Sequence, residues 1–106
     1  MWLSTADGRQ LRRPTSADLT AVLDTTGPGG NPVVRLARAA DDWIRADLDA
    51  SGHYAVEWRD GSPHRHYRVD FPCDHEEVAE VLDSYLSGDN RWRTRLEWRR
   101  DRRVIP

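Results

Sequence analysis

"VVRLARAADDWIRADL", Val33 to Leu48, is the stretch on which the fold turns. With a period of 3.6 residues its composition suits a helix, and Leu36, Ala40, Trp43, Ile44 and Leu48 share one face. With a period of two it becomes a strand pair. Two β-branched valines follow Pro32, Asp41 and Asp42 can turn, and Ile44, Ala46 and Leu48 alternate with Trp43, Arg45 and Asp47. We favour two strands, because a hairpin comes next and strands tend to pair with their sequence neighbours.

That hairpin is "HYAVEWRDGSPHRHYRVDF", His53 to Phe71. Tyr54, Val56 and Trp58 fall on one side of its first arm, the turn formers Asp60–Pro63 follow, and Tyr67, Val69 and Phe71 fall on one side of its second arm. The polar positions then lie opposite: Glu57 and Arg59 on one arm, His64, His66, Arg68 and Asp70 on the other. Asp49–Gly52 suits a tight turn back from the preceding strand.

Further out, Trp2 and Leu3 begin a short strand before a turn at Asp7–Gln10. "TSAD", Thr15 to Asp18, reads as a capping box opening a helix with Leu19, Val22 and Leu23 inward. "GPGGNP", Gly27 to Pro32, can propagate neither regular element and is expected to be a mobile loop, taken over 26–32. Beyond Pro72, Asp74 and Glu77 form a second capping box. Val78, Val81, Leu82, Tyr85 and Leu86 make an apolar helical stripe, and Gly88 is the stop. In "RWRTRLEWRRDRR", Arg91 to Arg103, Trp92, Thr94, Leu96 and Trp98 alternate with Arg93, Arg95, Glu97 and Arg99. Period two predicts a half-buried last strand, its tryptophans in the core, followed by a basic tail, 100–106.

The 106 residues suffice for one domain with one core, 1–106. Apolar residues are 38% and charged residues 32%, a polar chain that can still fold. No apolar run approaches the ~20 residues of a membrane span, and "MWLSTADGRQ" lacks a signal peptide's apolar core, so we expect a cytoplasmic protein without membrane contact. The single cysteine, Cys73, permits no internal disulfide. All 16 basic residues are arginine, a bias that reflects a GC-rich genome more than selection for phosphate binding. Residues 91–106 carry seven arginines against Glu97 and Asp101, while the rest of the chain is acidic.

Candidate chemistry is sparse. His64 and His66 would share a strand face near Cys73 and His75, but the spacing is that of no zinc motif, and no metal is expected. Cys73 ahead of a helix N-terminus, with His75 close by, has the elements of a nucleophile, yet a structural cysteine explains it as well. Glu57 and His66 could form an acid–base pair across the hairpin, although cross-strand pairing with Arg68 explains the same residues. "GPGG" lacks the Lys-Ser/Thr of a phosphate loop, and we expect no cofactor and no catalytic residues. Arginines interleaved with tryptophans at the C-terminus resemble a single-strand nucleic-acid face, but the chain is net acidic, and alternation separates the stacking groups from the cationic ones.

"YAVEWRDGSPHRHYRVD" (54–70), the helix ending "SYLSGD" (84–89) and "RWRTRLEW" (91–98) together resemble small uncharacterised α+β proteins of actinobacteria, in which a "VEYRDG"-like hairpin and a terminal tryptophan-bearing strand flank one helix. More loosely, residues 33–99 are similar to the Imm1-type immunity proteins of polymorphic toxin systems, which end in a helix, a glycine and a tryptophan-bearing strand. The resemblance implies an interaction protein and carries over no functional residue.

The expected fold is therefore α+β: a mostly antiparallel sheet of about five strands, with two helices, 16–24 and 75–87, packed on one face. Ile44, Val56, Trp58, Val69, Leu96 and Trp98 should meet the helices. Alternation then sends Trp43, Arg45, Glu57, Arg59, His66, Arg68, Arg95 and Glu97 to the open side, a mixture of arginine, carboxylate and aromatic suited to binding a protein or an anionic partner. The expected function is a non-enzymatic protein-binding module, an immunity or accessory regulatory protein whose partner and oligomeric state stay open. The alternatives are a nucleic-acid-binding module acting through Arg93, Arg95 and Arg99 and, below it, a small metal-dependent or cysteine enzyme.

Overall fold

The computed structural model describes residues 1–26 and 32–101. Val33–Leu48 is a pair of strands. β3 (Val33–Ala39) turns at Ala40–Asp41 into β4 (Asp42–Leu48), and the two pair antiparallel, with an irregularity between Ala37 and Ala39. What decides against the helix is two-sided use of the segment: Val34, Leu36, Ile44 and Ala46 are fully buried, while Arg35 and Arg45 point the other way. β1 (Trp2–Thr5) and β2 (Gln10–Arg12) precede them; β5 (Tyr54–Asp60), β6 (His66–Val69) and β7 (Trp98–Asp101) follow. The seven strands form one sheet in the order β2-β1-β3-β4-β5-β6-β7, every neighbouring pair antiparallel.

The two expected helices are present, with their capping boxes. α1 (Ser16–Asp24) is capped by Thr15, whose hydroxyl accepts from the Asp18 amide while Asp18 accepts from the Thr15 amide. α2 (His75–Ser87) has the same reciprocal bonds between Asp74 and Glu77, and ends at Gly88 with φ 84°, a left-handed conformation that favours glycine. Tyr85 ties α2 to the sheet: its hydroxyl donates to Asp42 Oδ1 at 2.9 Å, and the Arg38 guanidinium lies 4.0 Å from its ring centroid. No helix among the described residues is long and apolar enough to cross a membrane.

Three expectations need correction. The sheet has seven strands rather than about five: the expected strands at Trp2, Val33–Leu48, the hairpin and the C-terminus are joined by β2, an edge strand outside β1 where only a turn was expected. Arg91–Trp98 is not one strand: α3 (Arg91–Arg95) is a third, short helix, and β7 starts only at Trp98. The alternation of Trp92, Leu96 and Trp98 is real as burial but arises differently. Trp92 is sunk from α3, its amide donating to Ser84 Oγ, and Trp98 reaches it from β7, its indole donating to the Trp92 carbonyl. Thr94 is exposed, as is Phe71, which lies past the end of β6. Of the predicted loop 26–32, residues 27–31 lie outside the described residues. So do 102–106 of the predicted tail, whose first two members belong to β7.

One core results. Leu19, Val22 and Leu23 of α1, Val78, Val81, Leu82 and Tyr85 of α2 and Trp92 of α3 cluster with Leu3, Val34, Leu36, Ile44, Ala46, Val56 and Trp58 from the sheet. Its densest part is aromatic. Trp58 stacks on Tyr67 at 4.6 Å and meets Trp92 edge-on at 4.5 Å, while Trp98 stands 5.6 Å from Trp58. The alternation in β4 yields a paired test. Ile44→Ala should lower stability by about 2–5 kcal/mol, while Arg45→Ala should change it by roughly 0.5 kcal/mol or less, as read from urea unfolding midpoints. Equal losses at both positions would contradict the assignment of faces.

Candidate functional site

Side chains directly opposite one another in antiparallel strands project to the same side. The register therefore lays out the face turned away from the core as two transverse rows. One runs Trp2, Ala37, Trp43, Arg59, His66, Asp101. The other runs Arg35, Arg45, Glu57, Arg68, Arg99. All three helices bury their apolar side chains on the opposite face of the sheet.

Six of the eight expected residues share this face: Trp43, Arg45, Glu57, Arg59, His66 and Arg68. Arg95 and Glu97 do not. Arg95 belongs to α3, where Nε donates to Glu80 Oε2 at 2.8 Å and Nη1 lies 3.6 Å from Glu77 Oε2, pairing it with α2 on the helical side. Glu97 is exposed in the two-residue link ahead of β7. Arg35 and Trp2 join the face without having been expected there, and Arg99 stands on it as the alternation at the C-terminus predicts. For Arg35 the signal was present in the sequence, since Val34 and Leu36 flank it in a strand whose inward positions are apolar.

The upper row makes its own small packed unit. Trp43 is only 8% exposed although it lies outside the core. Arg35 from β3 and Arg59 from β5 each bring a guanidinium to 5.1 Å from its ring centroid, and His66 meets it edge-on at 5.6 Å. Arg59, itself 7% exposed, donates from Nε to His66 Nδ1 at 3.4 Å and from Nη1 to Asp41 at 3.4 Å. With Nδ1 accepting, the neutral ring carries its proton on Nε2. That nitrogen is buried without a hydrogen-bond partner, and Glu57 Oε2 lies 3.7 Å from it.

The lower row is charged and half-open. Arg35 stands directly opposite Arg45, and Arg68 directly opposite Arg99, although like charges in such positions destabilise a sheet. Each pair is relieved from the side: Arg45 Nε donates to Asp47 at 2.8 Å, while Asp70 sits 3.5 Å from Arg68 Nε and 3.0 Å from Arg99 Nη1. Burial, then the charges of Arg45 and Arg59, hold the Arg35 guanidinium below its ordinary range. In the upper row, Ala37 stands between Trp2 and Trp43. Beside this small residue a trough of about 370 Å³ opens, walled by Trp2, Gln10 and Arg35.

The residues weighed for metal or thiol chemistry are dispersed. His64 is exposed in the loop between β5 and β6 rather than on a strand, and His66 is buried under Trp43. His75 Nδ1 lies 3.2 Å from the Tyr54 hydroxyl. Among the described residues, no three His, Cys, Asp or Glu side chains are grouped to hold a metal ion. Cys73 is buried, and its thiol donates to the Phe71 carbonyl at 3.6 Å. Burial, then Glu77 and Asp74, push its pKa up to about 11, the reverse of the lowering that a helix N-terminus can produce in a reactive thiol. The C-terminal arginines are dispersed too: Arg91 pairs with Asp89, Arg93 lies 5.2 Å from the rings of Trp58 and Trp92, and Arg100 bonds the His64 carbonyl.

No protein-family model, no curated protein and no solved structure matches the chain.

Two tests come from this geometry. Burial lowers the His66 pKa from its ordinary 6.5; Glu57 and Asp101 oppose that effect and Arg59 adds to it. The unfolded chain then binds more protons below about pH 6.5, so this stabilisation is present above that pH and fades as pH falls. An NMR titration should place the His66 midpoint below 6.5, and His66→Gln should flatten the fall in stability as pH drops below about 6.5. A midpoint above 6.5 would mean that the carboxylates outweigh burial. Separately, Cys73 should resist a disulfide reagent at pH 8 in the native protein and react promptly once unfolded. Equal rates in the two states would refute its burial.

Proposed function

We propose that the chain is a non-enzymatic protein-binding module that uses the open face of its sheet, in the role of an immunity or accessory regulatory protein. The observation that carries this reading is the convergence of Trp43, Arg45, Glu57, Arg59, His66 and Arg68, with Arg35, on the face away from the helices. Buried contacts fix Trp43, Arg59 and His66, and the half-open arginines around them can each fork two hydrogen bonds to a carboxylate. Arginine and tryptophan are the residues enriched at the energetic centres of protein interfaces. A fixed platform also loses little side-chain freedom on association.

The nucleic-acid reading has less support. Its expected strip, Arg93, Arg95 and Arg99, is divided between the helical side and the open face, and Arg95 is committed to Glu77 and Glu80. Of the two tryptophans on the open face, Trp43 is sealed by arginines, and Trp2 alone offers an exposed ring, 46% accessible. A series of stacking platforms for successive bases is therefore missing from this face.

Site-specific photocrosslinking tests the protein-binding reading. A benzophenone side chain in place of Arg45 or Arg68 should capture a protein partner in cells, and the same group in place of Thr20 on α1 or Glu76 on α2 should not. Arg45→Glu with Arg68→Glu should abolish capture of that protein from a crosslinker at Gln10 while shifting the melting temperature by no more than a few degrees. Capture from the helical positions alone would place the working surface elsewhere. An immunity role further requires that the captured protein be a toxin and that the chain protect cells against it.

A further inference from the structure

The lower row of the open face is a cationic ladder: four arginines and one glutamate in register across five adjacent strands. At the ~4.8 Å spacing of neighbouring strands it extends for about 19 Å. Arg35 against Arg45 and Arg68 against Arg99 are arrangements that sheet pairing disfavours, and the fold satisfies them only in part: Asp47 holds Arg45, one carboxylate, Asp70, is shared by Arg68 and Arg99, and Arg35 lies over the Trp43 ring without a carboxylate of its own in the row. The residue between the pairs, Glu57, lies 3.7 Å from His66. On the helical side the arginines are matched by carboxylates: α2 carries Glu76, Glu77, Glu80 and Asp83, and Arg95 of α3 is paired with Glu77 and Glu80. Alongside the ladder, the trough at Ala37, with the exposed ring of Trp2 as one wall, has the size to take one apolar or aromatic side chain.

We infer that the occupant of the open face is an acidic protein segment, with carboxylates on the Arg35–Arg45–Arg68–Arg99 ladder and one apolar or aromatic anchor in the trough beside Trp2. This rests on the protein-binding reading and names the chemistry of the partner. Carboxylate complementarity follows from the guanidinium fork, whose parallel N–H groups match a carboxylate with two bonds. The anchor follows from shape, because Ala37 leaves unfilled the position that Trp2 and Trp43 occupy on either side of it in the row. A desolvated aromatic anchor flanked by charge pairs is the pattern in which a few contacts carry most of an interface's energy.

The test is an NMR titration of the full, isotope-labelled chain with four probes: a Glu/Asp-rich peptide carrying one Phe, the same peptide with Phe→Gly, its Gln/Asn counterpart retaining the Phe, and an oligo-dT of similar length. The acidic Phe peptide should shift the arginine Nε–H resonances of the ladder and the indole N–H of Trp2. Loss of the Phe, or of the carboxylates, should weaken binding at least tenfold. Arg45→Lys with Arg68→Lys keeps the charge and removes the fork, and should weaken it severalfold. Equal shifts on the open face from the neutral peptide would overturn the ladder while leaving the protein-binding reading intact. Equal affinity without the Phe would remove the anchor. Saturable oligo-dT binding on this face with no response to any peptide would overturn both the inference and the protein-binding reading. Peptide shifts confined to α2 and α3 would do the same.

Discussion

A slip of β4 by one residue would turn Ile44 and Ala46 out to water and drive Trp43 and Arg45 into the core. Because the side-chain period of a strand is two, register is all or none, and β4, the middle strand of seven, transmits it both ways. Ile44 sits between Leu36 and Trp58, and Arg45 between Arg35 and Glu57. The hydrophobic cost of exposing the first row thereby fixes the geometry of the second. The placement of the polar face is in this sense a by-product of core packing: the energy that holds Arg45 in position is spent on Ile44, on the other side of the same backbone.

Much of the architecture could be read without coordinates, for reasons that differ by element. The capping boxes at Thr15 and Asp74 and the stop at Gly88 are local chemistry, complete within a few residues, and they fixed both long helices. The β3–β4 pair was settled by context rather than propensity, since both periods fit its residues. The C-terminus misled because α3 is shorter than two turns, too short for a helical period to show, while Trp92 and Leu96 are buried and Trp98 half-buried at even spacing for unrelated reasons. A signal did exist. Asp89 accepts from the Arg91 amide two residues on, and a short acid after the glycine stop is how a new turn begins. The misreading moved Arg95 and Glu97 onto a face they do not occupy.

The ladder was harder to see, because it draws one residue from each of five strands and no window along the sequence contains it. Charge summed along the chain instead pointed at residues 91–106. Folding undoes that concentration: Arg91 and Arg95 are taken by carboxylates of the helical side, and Arg93 by two tryptophan rings, while Arg99 crosses to Asp70 on the sheet. The row of arginines on the open face is assembled by pairing across strands. It appears only when register is known, since a change of one residue in any pairing would break the row.

The sheet's two margins have a further consequence. β2 has three residues and β7 has four, and each carries arginine, Arg12 on one and Arg99 and Arg100 on the other. Edge strands offer unpaired amides and carbonyls to any extended chain, and short, charged edges are how natural sheets discourage that pairing. Here the central strands β3, β4 and β5, seven residues each, are the long ones, and both neighbours of each are already in place. Growth by adding a strand, whether from another copy or from a misfolded chain, would have to begin on three or four residues beside a guanidinium. Both rims of the sheet are thereby poor templates for a further strand.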